Sequence, residues 1–186
     1  DGMIITMLLH MTRHFAFDKY RGFRWFSWIT GVILIWLVYI TGINGFMLVW
    51  DKLAQFVTVS TAELLDWIPI FKGVVIRNFI FEGHVNDRLF TLLAFVHLGA
   101  PLLVLMVMWI HVQRVPRAHT NPPKAIALWV TATFLILSLV RPVVSQGPAN
   151  LSVEVGSLDF DWFYLPIYPL IYEWPLASLW GFLIGT

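Results

Sequence analysis

The stretch RLFTLLAFVHLGAPLLVLMVMWIHV, residues 88–112, decides the fold of this chain. A run of this length and apolar character is long enough to cross a bilayer as a helix. His97 and His111 lie fourteen residues apart inside it, with no other strongly polar side chain between them. At about 100° per residue, fourteen residues return to within about 40° of the same helix face, roughly 21 Å further along the axis. The stretch therefore predicts a membrane helix that carries two imidazoles on one side, one near each edge of the bilayer.

The composition places the whole chain in a membrane. Of its 186 residues, 59% are hydrophobic and only 12% are charged, whereas soluble domains have about 25% charged residues. Cysteine is absent, which excludes disulfides, thiolate ligation and iron–sulfur clusters held by this chain. A net charge of +1 gives no reason to expect a nucleic-acid partner. We therefore expect an integral membrane protein surrounded by lipid.

The other apolar segments predict an all-α transmembrane helical bundle with interfacial helices. In chain order they are a partial helix over 3–17, a full span over 25–50, interfacial segments over 51–87, a short span over 124–140, an interfacial helix over 161–174 and a last apolar run from Pro175. The runs at both ends are shorter than a full span, so we expect a fragment or one piece of a split protein. Residues 1–112 form a histidine-bearing part and residues 113–186 a C-terminal part with an outer-face loop.

Charge asymmetry predicts the orientation of these helices. The loops over 18–24 and 113–124 carry six lysines and arginines and one acid. The segments on the opposite side, 51–88 and 141–174, are richer in acids than in bases. Since cytoplasmic loops are enriched in Lys and Arg, the two basic loops should face the cytoplasm, and His111 should lie near that edge.

Two further groups match the histidines in depth. His10 ends the first apolar run at the depth of His111, so the two could clamp a haem; alternatively both are interfacial histidines among lipid headgroups. Arg13 could pair with a haem propionate, or it is an ordinary positive-inside residue. Gly31 and Gly45 repeat the spacing of fourteen, which either permits close helix packing or opens two flat slots at the depths of two macrocycles.

Asp161 is the candidate for proton chemistry. It lies at the outer face in the aromatic segment FDWFYLP, residues 160–166, where a carboxylate could take a proton from a hydroquinone. The alternative is an N-cap for the short helix that follows, a role that Asp fills well. His14, His84 and His119 lie in or beside loops and are interpreted as surface residues.

Taken together, these motifs resemble the cytochrome b subunit of the bc1 and b6f quinol-oxidising complexes. The segment HLGAP, residues 97–101, with His111 looks like the family's fourth helix, and LHMTR, residues 9–13, like the end of its second. Trp28 with Gly31 and Gly45 is similar to the third helix, whose glycines pack on haems. Residues 160–163 are similar to the Pro-Glu-Trp-Tyr motif of the quinol-oxidation site. The match runs from the end of the second helix to the start of the sixth.

The resemblance implies a di-haem b-type cytochrome that moves electrons across the bilayer. Its inner haem would lie between His10 and His111, and its outer haem would use His97 and a ligand outside this chain, at a position four residues before Asp1 or on a companion chain. Quinol would be oxidised near Asp161. Implied partners are an iron–sulfur protein, a cytochrome c-like subunit and a second copy in a homodimer. The implied location is a bacterial or archaeal inner membrane, or its organellar equivalent.

The chain also departs from the family pattern. Asp161 stands for Glu, one methylene shorter, and Phe160 and Phe163 replace Pro and Tyr. Val49 occupies the position of a proline before Trp50, and Pro116 stands where some members have a histidine at the inner quinone site.

Two other classes of function stay open. One is a haem-bearing membrane anchor of another oxidoreductase, and the other is a non-redox helical membrane protein whose histidines pack or relay protons.

Overall fold

The computed structural model of the protein describes residues 2–81, 84–85, 87–115 and 118–185. Within these ranges the chain is almost entirely helical, which confirms the predicted all-α fold. The helices are α1 Gly2–Ala16, α2 Trp25–Val49, α3 Lys52–Asp66, α4 Val74–Phe79, α5 Asp87–Gln113, α6 Lys124–Val140, α7 Ile167–Glu173 and α8 Leu176–Gly185. A 3-10 turn, Gly22–Arg24, leads into α2. The sequence did not predict the two-residue strands β1 Ile80–Phe81 and β2 His84–Val85, which pair antiparallel.

Two of the described helices are long and apolar enough to cross a membrane. They are the continuous helical segment Gly22–Val49, which includes α2, and α5, with 28 and 27 residues. Both match the predicted spans within a few residues. The predicted third span, α6, has 17 residues and is shorter than a full span.

Helices α2 and α5 form the main packing interface of the described chain, and they run antiparallel. The start of α2 therefore lies beside the end of α5. This places the basic loop over 18–24 and the end of α5 at one end of the pair, as the charge pattern predicts. We call this the inner end and the opposite one the outer end.

The buried core lies at the outer end. Helices α3 and α7 pack there with the last part of α2, and the fully buried side chains include Val57, Leu165 and Leu179. Asp51 fixes the start of α3, because its Oδ1 accepts a hydrogen bond from the Ala54 backbone N–H at 2.9 Å. Its Oδ2 accepts one from the Gln146 N–H at 3.0 Å. One carboxylate thus caps a helix and anchors the long loop that follows α6.

Helix α6 has the opposite environment. Every side chain in it is exposed except that of Ala132, and Trp129 and Leu139 are 74% and 83% exposed. An apolar surface of this extent is rare on soluble monomers. Such a helix is suited to contact with lipid or with other membrane helices.

Candidate functional site

The α2–α5 interface brings each histidine of α5 against one glycine of α2. A Cβ atom at Gly31 would lie 3.5 Å from Cε1 of His111, and one at Gly45 would lie 3.3 Å from Cε1 of His97. The two spacings of fourteen are therefore in register across the interface. Both histidines face the same neighbouring helix, as predicted, and each ring lies where a larger residue on α2 would crowd it.

At the inner end, a threonine holds the ring of His111. The Thr30 hydroxyl lies 2.8 Å from His111 Nδ1. The same hydroxyl donates to the backbone carbonyls of Phe26 and Ser27, at 2.9 and 3.1 Å. The hydroxyl has one proton, and the contact with His111 fits either tautomer of the ring. When that proton goes to a carbonyl, His111 donates its Nδ1–H to Thr30, and Nε2 keeps a free lone pair.

At the outer end, three buried polar atoms have no hydrogen-bond partner within the described ranges. One is Oγ1 of Thr58 on α3, and the other two, Nδ1 of His97 and Oδ1 of Asn44, lie on the facing helices α5 and α2. Asn44 is only 4% exposed and directly precedes Gly45, as Thr30 directly precedes Gly31. Since buried polar atoms are nearly always satisfied, two unsatisfied atoms on facing helices mark this end as unusual.

Helix α1 carries the third predicted ligand, His10, in an exposed position. Its ring lies 4.4 Å from that of His14, and His10 is close enough to His111 to interact with it electrostatically. Arg13 is exposed at the same end. Trp28 of α2 packs against Phe15 and borders an apolar cleft of about 210 Å³ that separates α1 from α2. His10 and His111 thus come from different helices at one end of the bundle, without direct contact.

Asp161 acts as a cap in this structure. Its Oδ1 accepts hydrogen bonds from the backbone N–H groups of Phe163 and Tyr164, at 3.0 and 2.9 Å. The structural alternative from the sequence is therefore observed: the carboxylate stabilises the turn that leads into α7. These two bonds use one carboxylate oxygen and leave Oδ2 outside the capping interaction, and Asp161 is only half-buried.

Three tyrosines attach this outer segment to the helices below it. Tyr164 donates to the Val38 carbonyl at 2.8 Å, and its ring fills the space where a Cβ at Gly42 would lie. Tyr168 bonds Thr61 at 2.9 Å and Tyr172 bonds Ser60 at 2.8 Å. Burial raises the pKa of all three tyrosines. They therefore stay protonated at neutral pH and keep their hydrogen-bond donors.

A cavity of about 520 Å³ opens beside α3 at this end. Phe56, which lines it, packs edge-on against Phe160 with ring centroids 5.9 Å apart. Phe160 in turn contacts Trp162 at 5.1 Å. Phe56 thus joins the lining of the cavity to the aromatic segment that carries Asp161, whose own residues are not part of that lining.

The structure does not bring the remaining histidines together in one site. His119 is exposed, as expected, whereas His14 is half-buried against His10 rather than a simple surface residue. The side chain of His84 and all of Pro116 lie outside the described part of the chain. Among the residues described, no group of three or more His, Cys, Asp or Glu side chains could hold a metal ion directly.

Sequence reasoning missed Thr30 and Asn44. A signal for them was present, because they too lie fourteen residues apart and each precedes one of the two glycines. Threonine and asparagine are not themselves typical metal ligands. Only the α2–α5 packing shows that they adjoin the histidines.

The fold and the site define an all-helical membrane protein with paired histidines against paired glycines. The family model described as Cytochrome b(N-terminal)/b6/petB matches residues 1–133. The chain therefore belongs to the cytochrome b family, and it is an integral membrane protein. This confirms the resemblance that the sequence motifs indicated.

Two curated relatives agree with this assignment. A cytochrome b/c1 of Bradyrhizobium diazoefficiens is 24% identical over 202 residues, covering 91% of this chain and 29% of that protein. A cytochrome b6 of Gracilaria tenuistipitata var. liui is 27% identical over 124 residues, covering 65% of this chain and 57% of that protein. The chain thus spans less than two thirds of the length of either relative. No solved structure matches it.

Proposed function

We propose that this chain is the haem-carrying part of a quinol-oxidising membrane complex and conducts electrons across the bilayer. The observation that carries the proposal is the double register, in which His111 faces Gly31 and His97 faces Gly45. A single histidine–glycine contact is ordinary helix packing. Two such contacts, about 21 Å apart along the helix axis, support two similar sites, one toward each membrane edge.

The residues at the inner end fit a haem. An iron ligand must be a neutral imidazole that presents a free ring nitrogen, and the bond from His111 Nδ1 to Thr30 leaves Nε2 in that state. Gly31 keeps the ring edge free of side-chain bulk. A haem bound here supplies one-electron chemistry, while the protein supplies axial ligation, orientation and a low dielectric.

We assign His10 and His111 as the axial pair of the inner site, with Arg13 available to a propionate. His10 lies on a different helix at the same end and is exposed. We assign His97 as one ligand of the outer site, and we place its partner outside residues 1–186. This arrangement gives two haems of type b, of which this chain fully ligates one.

At the outer face we propose that Asp161 accepts a proton from hydroquinone. Its Oδ1 serves the backbone cap, and Oδ2 is the atom that would take the proton. The cavity lined by Phe56, whose ring packs on Phe160 of the same segment as Asp161, offers room for a quinol ring. The partners we propose are an iron–sulfur protein for the first electron of the quinol, a cytochrome c-like acceptor beyond it, and a second copy of the complex.

The test is a reduced-minus-oxidised difference spectrum of membranes that contain the protein, with haem extracted and counted per chain. We expect the α-band of b-type haem at two haems per complex. Absence of that band would overturn the cytochrome assignment in favour of a non-redox bundle. Haem without quinol-dependent reduction would favour an anchor subunit of another oxidoreductase.

A further inference from the structure

We infer that Thr30 and Asn44 are matched positioning residues that hold the Nδ1 edges of His111 and His97 and so set the electronic character of the two haem ligands. The inference rests on the haem assignment proposed above. Neither residue is a ligand; each acts through the histidine that it faces.

The inner half of the inference is visible directly. Thr30 Oγ1 lies 2.8 Å from His111 Nδ1 and can accept a hydrogen bond from the ring while its own proton goes to the carbonyl of Phe26 or Ser27. A hydrogen bond of this kind fixes the ring orientation and increases the basicity of the opposite nitrogen. Thr30 is itself only 6% exposed, so the bond is shielded from water.

The position of Asn44 at the outer end follows from the helical repeat. Asn44 stands fourteen residues after Thr30 and, like Thr30, immediately before a histidine-facing glycine. A Cβ at Gly45 would lie 3.3 Å from Cε1 and 3.9 Å from Nδ1 of His97, so α2 passes this ring as closely as it passes His111. Asn44 therefore occupies the place at the outer site that Thr30 occupies at the inner one.

The unsatisfied atoms complete the argument. Nδ1 of His97 is a potential donor and Oδ1 of Asn44 an acceptor, and in the described ranges both are buried and unpaired. Leaving two such groups buried and unpaired is unfavourable, because each has lost its hydrogen bonds to water. Rotation of the two side chains into one bond removes both penalties. That rotation also makes Nδ1 the protonated nitrogen and presents Nε2 of His97 to the iron.

Loss of the acceptor residue should affect the haem more at one end than at the other. The Ser27 carbonyl lies 3.1 Å from the Thr30 hydroxyl and near the His111 ring, so it can take over as acceptor when the Thr30 hydroxyl is removed. No second acceptor for His97 is present in the described residues. Asn44 should therefore influence its haem more than Thr30 does.

The test is a redox titration of the haem α-bands, with low-temperature EPR of the ferric haems, in native membranes that contain the whole complex. The apolar variants Asn44→Leu and Thr30→Val remove the acceptors, and Asn44→Thr and Thr30→Ser restore a hydroxyl. We expect Asn44→Leu to shift only the outer haem to a more positive potential, since a less basic imidazole stabilises ferric iron less. Thr30→Val should shift only the inner haem, and by less. Both conservative variants should stay close to wild type.

Several outcomes would overturn the inference. One is a haem bound in Asn44→Leu with unchanged potential and EPR signal, and another is an equal shift of both haems. If Asn44→Leu loses the outer haem entirely, Asn44→Thr must retain it; loss in both variants contradicts an acceptor role. Absence of haem from the wild-type protein would instead defeat the proposed function, so the two failures are distinguishable.

Discussion

The inner and outer ends of the α2–α5 pair are built from the same residue pattern but lie in different surroundings. At the inner end His111 is bonded to Thr30, and His10 and Arg13 on α1 are exposed. At the outer end His97 and Asn44 carry unpaired buried atoms beneath a cover made by α3, α7 and the loop before α7. A repeat in sequence thus gives two similar ligand positions, whereas packing makes one end open and the other enclosed. This division agrees with the function that we propose, in which quinol is oxidised at the enclosed end.

The sharpest way to break the comparison is to remove one histidine at a time. We expect His111→Ala to abolish the inner haem and leave the outer one, with His10→Ala giving the same spectrum because the two share a ligand pair. His97→Ala should remove the outer haem instead. Haem counting and difference spectra measure this, with the exposed His119→Ala as the control. Full haem content in His111→Ala would show that our pairing is wrong.

The second prediction separates the two roles of Asp161. Asparagine keeps the oxygen that accepts from Phe163 and Tyr164, so Asp161→Asn should fold normally. It cannot accept a proton, and loss of a general base costs about 10²–10⁴-fold in rate. We expect quinol-dependent reduction to slow by that range while haem content stays constant. Asp161→Glu, which restores the family's residue, should remain active. An unaffected rate in Asp161→Asn would leave Asp161 as a cap alone.

The third prediction concerns the cover of the outer end. The Tyr164 ring occupies the space beside Gly42, so Gly42→Ala must displace either the ring or α2. Overpacking of this kind costs about 1–3 kcal/mol. We expect a lower unfolding temperature and a loss of quinol oxidation ahead of any loss of the inner haem. Gly181→Ala is the matched control, because nothing lies within 4 Å of its added Cβ. Equal stability of the two variants would contradict this packing.

The smallest effect is expected at the bond from Tyr172 to Ser60. Tyr172→Phe removes a 2.8 Å hydrogen bond and leaves the fully buried Ser60 hydroxyl without this partner. The cost should be about 1 kcal/mol. A double-mutant cycle with Ser60→Ala, read by thermal unfolding, measures the coupling. Additive effects of the two substitutions would indicate that this contact does not stabilise the cover.

Much of the fold was predictable because its determinants are local. The apolar lengths of α2 and α5 fix them as spans, and the breaks at Pro69 and Gly73 separate α3 from α4. The glycine and histidine spacings also predicted that the two glycines share one face of α2 and the two histidines one face of α5, since fourteen residues return to nearly the same face of any helix. The paired strands β1 and β2 were missed because each has only two residues, too few to show the alternation of polar and apolar side chains that indicates a strand.

The contacts of the site were less predictable because they join distant parts of the chain. His14 was interpreted as a surface residue, yet its ring packs on that of His10. For Asp161 the sequence left a cap and a proton acceptor open, and the structure shows the capping bonds. The oxygen that could also accept a proton is Oδ2, which the capping bonds do not use. The sequence pattern does not show which of the two oxygens caps the turn.

The sequence by itself determined that this is a membrane helix bundle of the cytochrome b family with two histidines on one face. Apolar length and helical periodicity are properties of single segments, so they can be recognised in the sequence alone. The tertiary structure decided which neighbour each ring meets: His111 meets Gly31 and Thr30, and His97 meets Gly45 beside Asn44. Those contacts join residues more than 50 positions apart in sequence, and they depend on the antiparallel register of the two helices. Only close packing of the folded chain sets that register.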